Sequence, residues 1–281
     1  MLQEYIEDDG PFLAAGIAFY AFFSLFPLVM VSVAVLGHFW KGEQALDYTL
    51  ALSANFLPAD MVSFLGSSLA DVLEDRHTLG VTGVLMLLWS GRQLFRAMEL
   101  SLHRAWDIPN ERSFLTGNLL AMTLVLLCGA VVFTVGWASA VLNWIHVMLL
   151  RLPIQNIAGI SLDQASFWVW VHSWIVVPLA TTLIFLLLYV ILPSRQVPVM
   201  HAVPGAFFSA VAWKISCWIY LEFIVTLGSR NALYGSVWTI VGLMVWLYIE
   251  ASVFLLGAEL VFVILRTKGG RKSSGTRPSK S

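Results

Sequence analysis

The run from Phe114 to Leu150, FLTGNLLAMTLVLLCGAVVFTVGWASAVLNWIHVMLL, is 37 residues long and contains no Asp, Glu, Lys or Arg. A bilayer core about 30 Å thick is crossed by roughly 20 apolar residues in a helix. A second run, Phe12 to Trp40, holds 29 residues without a charged side chain. Across the 281 residues, 59% are hydrophobic and 12% charged, against about 25% charged in an ordinary soluble domain. That balance excludes a water-soluble globule. The chain reads as an all-α, polytopic membrane protein.

Hydropathy predicts six transmembrane helices, at about 12–40, 78–97, 114–142, 167–192, 199–228 and 233–265. They form one domain over 1–265, followed by a basic tail over 266–281 that lacks apolar residues from Gly269 onward and is expected to be disordered. The formal net charge of −1 hides an uneven placement. Six spans put the N-terminus, the 92–113 connection, the 193–198 turn and the tail on one side, with eleven Lys or Arg. The other side has Lys41, Arg76, Arg151 and Arg230, so the positive-inside rule predicts that both termini are cytoplasmic. The acidic N-terminus lacks the basic region of a signal peptide, so the first span is expected to remain in the mature protein.

Two connections carry amphipathic patterns. After Pro58, Met61, Phe64, Leu65, Leu69, Val72 and Leu73 recur at helical spacing among acidic residues, which predicts an interfacial helix on the outer face. Further on, Phe95, Met98, Leu102 and Trp106 form an apolar stripe, with Arg92, Arg96, Glu99 and His103 on the opposite face. The twelve tryptophans, including Trp40, Trp106, Trp144 and Trp168, fall toward span ends, as interfacial anchors do.

Ionisable groups at membrane depth are costly and are functional candidates by default. Lys214, Glu222, Glu250 and Glu259 are the four. On adjacent antiparallel helices Lys214 and Glu250 fall at one depth, which predicts an ion pair between them. The functional reading makes Lys214, Glu222 and Glu250, with Arg92 and Arg96, a polar pathway or headgroup site; the structural reading is a salt bridge that fixes packing. Ala14, Ala18 and Ala21 share one face of the first span and predict close helix packing. Pro27 in the first span and Pro178 in the fourth are candidate kinks or hinges. Cys128 and Cys217 lie in apolar runs and read as small hydrophobes. The six histidines show no ligand spacing, and no nucleophile elbow, phosphate-binding loop or dinucleotide fingerprint occurs, so no metal, cofactor or catalytic residue is expected.

The stretch Ala14 to Leu28, AAGIAFYAFFSLFPL, resembles the opening signature of the YihY/BrkB family of bacterial inner-membrane proteins, once labelled ribonuclease BN. Leu94-Phe95-Arg96-Ala97 through Leu102-His103-Arg104-Ala105-Trp106, Tyr234-Gly235-Ser236 and Leu256-Gly257-Ala258-Glu259-Leu260 extend the resemblance over roughly residues 10–265. His103 stands where the family commonly has Asn, and Glu250 where it more often has a small polar residue. The resemblance implies an inner-membrane location, and structural or hinge roles for Tyr20, Ser24, Pro27, Gly235 and Glu259. It also implies export or flipping of a lipid or other envelope amphiphile. Arg92, Arg96 and Arg104 would then attract a phosphate or carboxylate, and Lys214, Glu222 and Glu250 would provide the polar step. Membrane lipids and an anionic headgroup are the expected partners, with a second copy of the chain or an envelope protein as others and no nucleic acid. A scaffold for envelope assembly is the alternative, and a membrane-bound ribonuclease comes last, because neither an acid-base set nor a basic groove is visible.

Overall fold

The computed structural model describes residues 2–39, 50, 76–106, 108, 115–131, 134, 156–157, 160–161, 171–228 and 235–273. These residues are helical apart from connections and a two-residue antiparallel pairing of Asn156–Ile157 with Ile160–Ser161. The helices are α1 (Leu2–Glu7), α2 (Gly10–Phe39), α3 (Arg76–Ala105), α4 (Leu115–Val131), α5 (Val177–Ile191), α6 (Val199–Gly228) and α7 (Gly235–Ser273). Three stretches are long and apolar enough to cross a membrane: Trp174–Ile191, Val199–Tyr220 and Ile240–Arg266. The expected outer-face helix after Pro58, together with Trp40, Trp144 and Trp168, lies outside the described residues. So do residues 274–281, although α7 itself runs to Ser273, past the expected start of the tail at 266.

Several large apolar side chains point outward. Leu115, Leu119 and Leu126 on α4, Leu179 on α5, and Phe207 and Trp218 on α6 are all more than 60% exposed. Faces this apolar suit lipid and would be unstable in water.

The N-terminus is folded back onto the bundle. Asp9 takes a left-handed φ of 56°, and its carbonyl accepts the Phe12 and Leu13 amides at 2.9 and 3.0 Å, starting α2. Gly10 follows because a Cβ there would run into the Tyr5 ring. Tyr5 in turn donates to Ser252 Oγ on α7 at 3.1 Å. The Ala14 and Ala18 face of α2 is buried as its small residues predict, together with Ile17. The helix passes through Pro27 unbroken.

Pro178 lies where the helix changes type. A π-helical turn, His172–Val176, precedes α5, and Pro178 sits at the start of the α-helical part. The wider turn before it accommodates the missing N–H of the proline.

α5 and α6 are joined by the bend at 192–198, and α6 runs antiparallel to α7. The register of that crossing is set by Gly205 and Gly257. A Cβ on Gly205 would lie 2.7 Å from the Gly257 carbonyl, and one on Gly257 would collide with Ser209 Oγ and Tyr189 OH. Without hydrophobic attraction between helices in lipid, such close backbone approach supplies the packing energy. Tyr189 is fully buried here. Its hydroxyl donates to the Phe254 carbonyl at 2.7 Å and lies 2.8 Å from Ser209 Oγ.

Candidate functional site

Ser209 lies opposite Val253 in the register of Gly205 and Gly257 on antiparallel α6 and α7. Further along the crossing, one helical turn out of that register, Ser216 meets Glu250 and Tyr220 meets Trp246. Each pair is in contact: Ser209 Oγ reaches the Val253 carbonyl at 3.4 Å, Ser216 Oγ donates to Glu250 Oε1, and the Tyr220 and Trp246 rings stack 5.2 Å apart.

Lys214 falls at the depth of Glu250, as expected, but among the described residues no ion pair joins them. Ser216 occupies the Glu250 carboxylate. Successive residues turn by 100° on a helix, so Lys214, two positions before Ser216, points some 160° away from it. Its ammonium instead sits 6.0 Å from the centre of the Trp174 ring, a cation–π distance. The ion-pair expectation is therefore corrected on orientation, while its depth stands.

The group is incompletely bonded. Tyr220 OH and Glu250 Oε2 are buried without a hydrogen-bond partner among the described residues. The Trp246 indole N–H lies beside the Glu250 carboxylate without closing a bond of normal geometry. A buried polar group left open costs about 1–3 kcal/mol. Glu222, eight residues beyond Lys214, is exposed.

The arginines are dispersed along α3. Arg92 Nε donates to Asn118 Oδ1 on α4 at 2.5 Å. Arg96 is exposed, one turn further along and beside Gly117. Arg104 pairs with Asp9 at 2.5 Å in an exposed position. Twelve residues, about 18 Å, separate Arg92 from Arg104 along the helix.

The apolar stripe of Phe95, Met98, Leu102 and Trp106 is buried as its spacing predicts. Glu99 and His103 are buried too, at 5% and 3% exposed, and do not share an open face with the arginines. His103 Nε2 accepts both the backbone N–H and the hydroxyl of Ser194, at 3.1 and 3.0 Å, which latches α3 to the α5–α6 bend. Since a backbone amide can only donate, this nitrogen carries no proton. Trp106 Nε1 donates to the Ala258 carbonyl at 3.0 Å, joining α3 to α7. The α3 end is closed by a bond from Ile108 N to the His103 carbonyl, ahead of Pro109.

The remaining sequence candidates are structural in their surroundings. Glu259 is 1% exposed. Ser24 Oγ donates to the Ala21 carbonyl at 2.7 Å within α2, Tyr20 is near the surface with its ring edge-on to Phe19, and Gly235 opens α7. Sequence reading missed Ser216, Tyr220, Trp246, Trp174, Asn118 and Ser194. A helical projection that asked what each buried charge bonds to would have found Ser216 and Trp246, the latter one turn before Glu250.

The model of the family described as virulence factor BrkB matches residues 1–280. The putative ribonuclease-like protein YfkH of Bacillus subtilis is 26% identical over 278 residues, 95% of this chain and 94% of its own. The UPF0761 membrane protein PSHAa0171 of Pseudoalteromonas translucida is 29% identical over 267 residues, 94% of this chain and 84% of its own. The UPF0761 membrane protein Cpha266_1653 of Chlorobium phaeobacteroides is 27% identical over 261 residues, 91% of this chain and 54% of its own length. No solved structure matches the chain.

Proposed function

We propose, from the premise that this chain belongs to the virulence factor BrkB family of membrane proteins, that it moves an anionic amphiphile across the bacterial inner membrane. In this reading six helices cross the bilayer with both termini cytoplasmic. Lys214, Glu222 and Glu250 provide the polar step, Arg92, Arg96 and Arg104 draw in the headgroup, and Pro27 lets α2 flex. The observation that carries it is the open bonding at Tyr220 OH and Glu250 Oε2 within apolar helices. Polar groups in lipid are expected to find partners, and those left open are available to a passing headgroup or its water.

The scaffold reading has its own support. Arg104 on Asp9, His103 on Ser194 and Trp106 on Ala258 are fixed bonds that tie the bundle together. The ribonuclease-like name belongs to the Bacillus relative, and that reading ranks last for this chain.

Transfer of a fluorescent phosphatidylglycerol between leaflets of proteoliposomes separates the two main readings. The wild type is expected to accelerate transfer, with Lys214→Ala and Arg92→Ala each slower by about tenfold, equivalent to about 1.4 kcal/mol of barrier. A scaffold would leave transfer at the rate of protein-free liposomes.

A further inference from the structure

A cavity of about 300 Å³ opens where the end of α3, the α5–α6 bend and α7 meet, away from the Lys214–Glu250 group. Its apolar walls are Trp106, Ile108, Val197, Phe262 and Leu265. Arg195 from the bend and Arg266 from α7 also line it, and both side chains are exposed. Its level follows from the chain. Arg266 is the last residue of one candidate span, and Arg195 lies between the ends of two others, Trp174–Ile191 and Val199–Tyr220. The two guanidiniums therefore stand at a membrane boundary, where lipid headgroups are found.

We propose that this cavity is a binding site for an anionic phospholipid of the surrounding leaflet, with the headgroup phosphate held between Arg195 and Arg266. Guanidinium is suited to phosphate because its fixed donors match the phosphate oxygens in pairs. The apolar walls would reject a free anion's hydration shell but accept the glycerol and first methylenes of a lipid. At about 300 Å³ the volume suits that much of the molecule and no more. The acyl chains then lie outside the cavity, where Val199 and Met200, just beyond Val197, are exposed to receive them. Trp106 is held in the wall by its bond to Ala258, so the site does not depend on a mobile side chain.

The inference concerns equilibrium binding and stands apart from translocation. Binding without transfer would leave it intact and sink the transport reading, and transfer without binding here would do the reverse. The test uses the full chain in neutral detergent, with short-chain phosphatidylglycerol, phosphatidylcholine and inorganic phosphate titrated separately and bound ligand read by native mass spectrometry. Phosphatidylglycerol is expected to bind in preference to phosphatidylcholine, and inorganic phosphate at matched concentration should not displace it. Arg195→Gln and Arg266→Gln should each weaken phosphatidylglycerol about fivefold, and the pair together about twenty-five-fold. Equal binding of the two lipids by the wild type would overturn the proposal without reference to any variant. So would displacement by inorganic phosphate, or wild-type affinity in the doubly substituted chain.

Discussion

Trp106→Ala is expected to lower the stability of the folded chain by about 3–5 kcal/mol, read as unfolding temperature in detergent. Trp106 is 3% exposed and packs among α3, the α5–α6 bend and α7. Its removal leaves a void beside a cavity already present, and the lost contacts have no replacement, since dispersion falls steeply across a gap. Trp106→Phe keeps most of the volume and loses only the donor to Ala258. Because that carbonyl lies within a helix and has a second acceptor direction, the loss should be about 1 kcal/mol. A phenylalanine variant as unstable as the alanine one would show that the hydrogen bond, and not the packing, holds the junction.

Gly257→Ala is expected to destabilise by about 2 kcal/mol, although glycine to alanine within a helix ordinarily stabilises. The added methyl would strike Ser209 Oγ and Tyr189 OH and sit 3.2 Å from the Gly205 carbonyl. It would push α6 from α7 and disturb both Tyr189 bonds. Gly16→Ala provides the contrast, because among the described residues nothing lies within 4 Å of a Cβ there, and it should be neutral or stabilising by up to about 1 kcal/mol. The sign of the difference between the two variants tests the α6–α7 register on which the polar site depends. If both behave alike, that register is wrong.

The helices were legible in the sequence because a long apolar run permits little else. Residues 12–40 were expected and Gly10–Phe39 is observed; 199–228 was expected and Val199–Gly228 is observed. The buried stripe through Phe95 and Leu102 was readable from its spacing for the same reason. Burial of Glu99 and His103 was not, because periodicity assigns polar residues to an exposed face and cannot anticipate a partner such as Ser194, 91 residues away. The Lys214–Glu250 expectation shows the same division. Rise per residue gave their common depth, but which face each side chain takes follows from the Gly205–Gly257 contact, and a hydropathy profile carries no rotation. In the sequence Arg195 and Arg266 contribute only to the charge bias that sets orientation. Their convergence on one cavity depends on the bend after α5, whose path no periodicity specifies.

The signature stretches found in the sequence build a frame. Trp106 bonds at Ala258, Gly257 receives α6, and the Ala14 and Ala18 face is packed inside. The incompletely bonded groups, Tyr220 and Glu250, stand apart from that frame, at positions whose loss should affect activity before stability. The most direct measurement is the rate of phosphatidylglycerol transfer by Glu250→Gln, reconstituted at an amount of folded protein equal to the wild type. The account predicts a rate lower by about tenfold or more with the unfolding temperature unchanged. Transfer at the wild-type rate would contradict it.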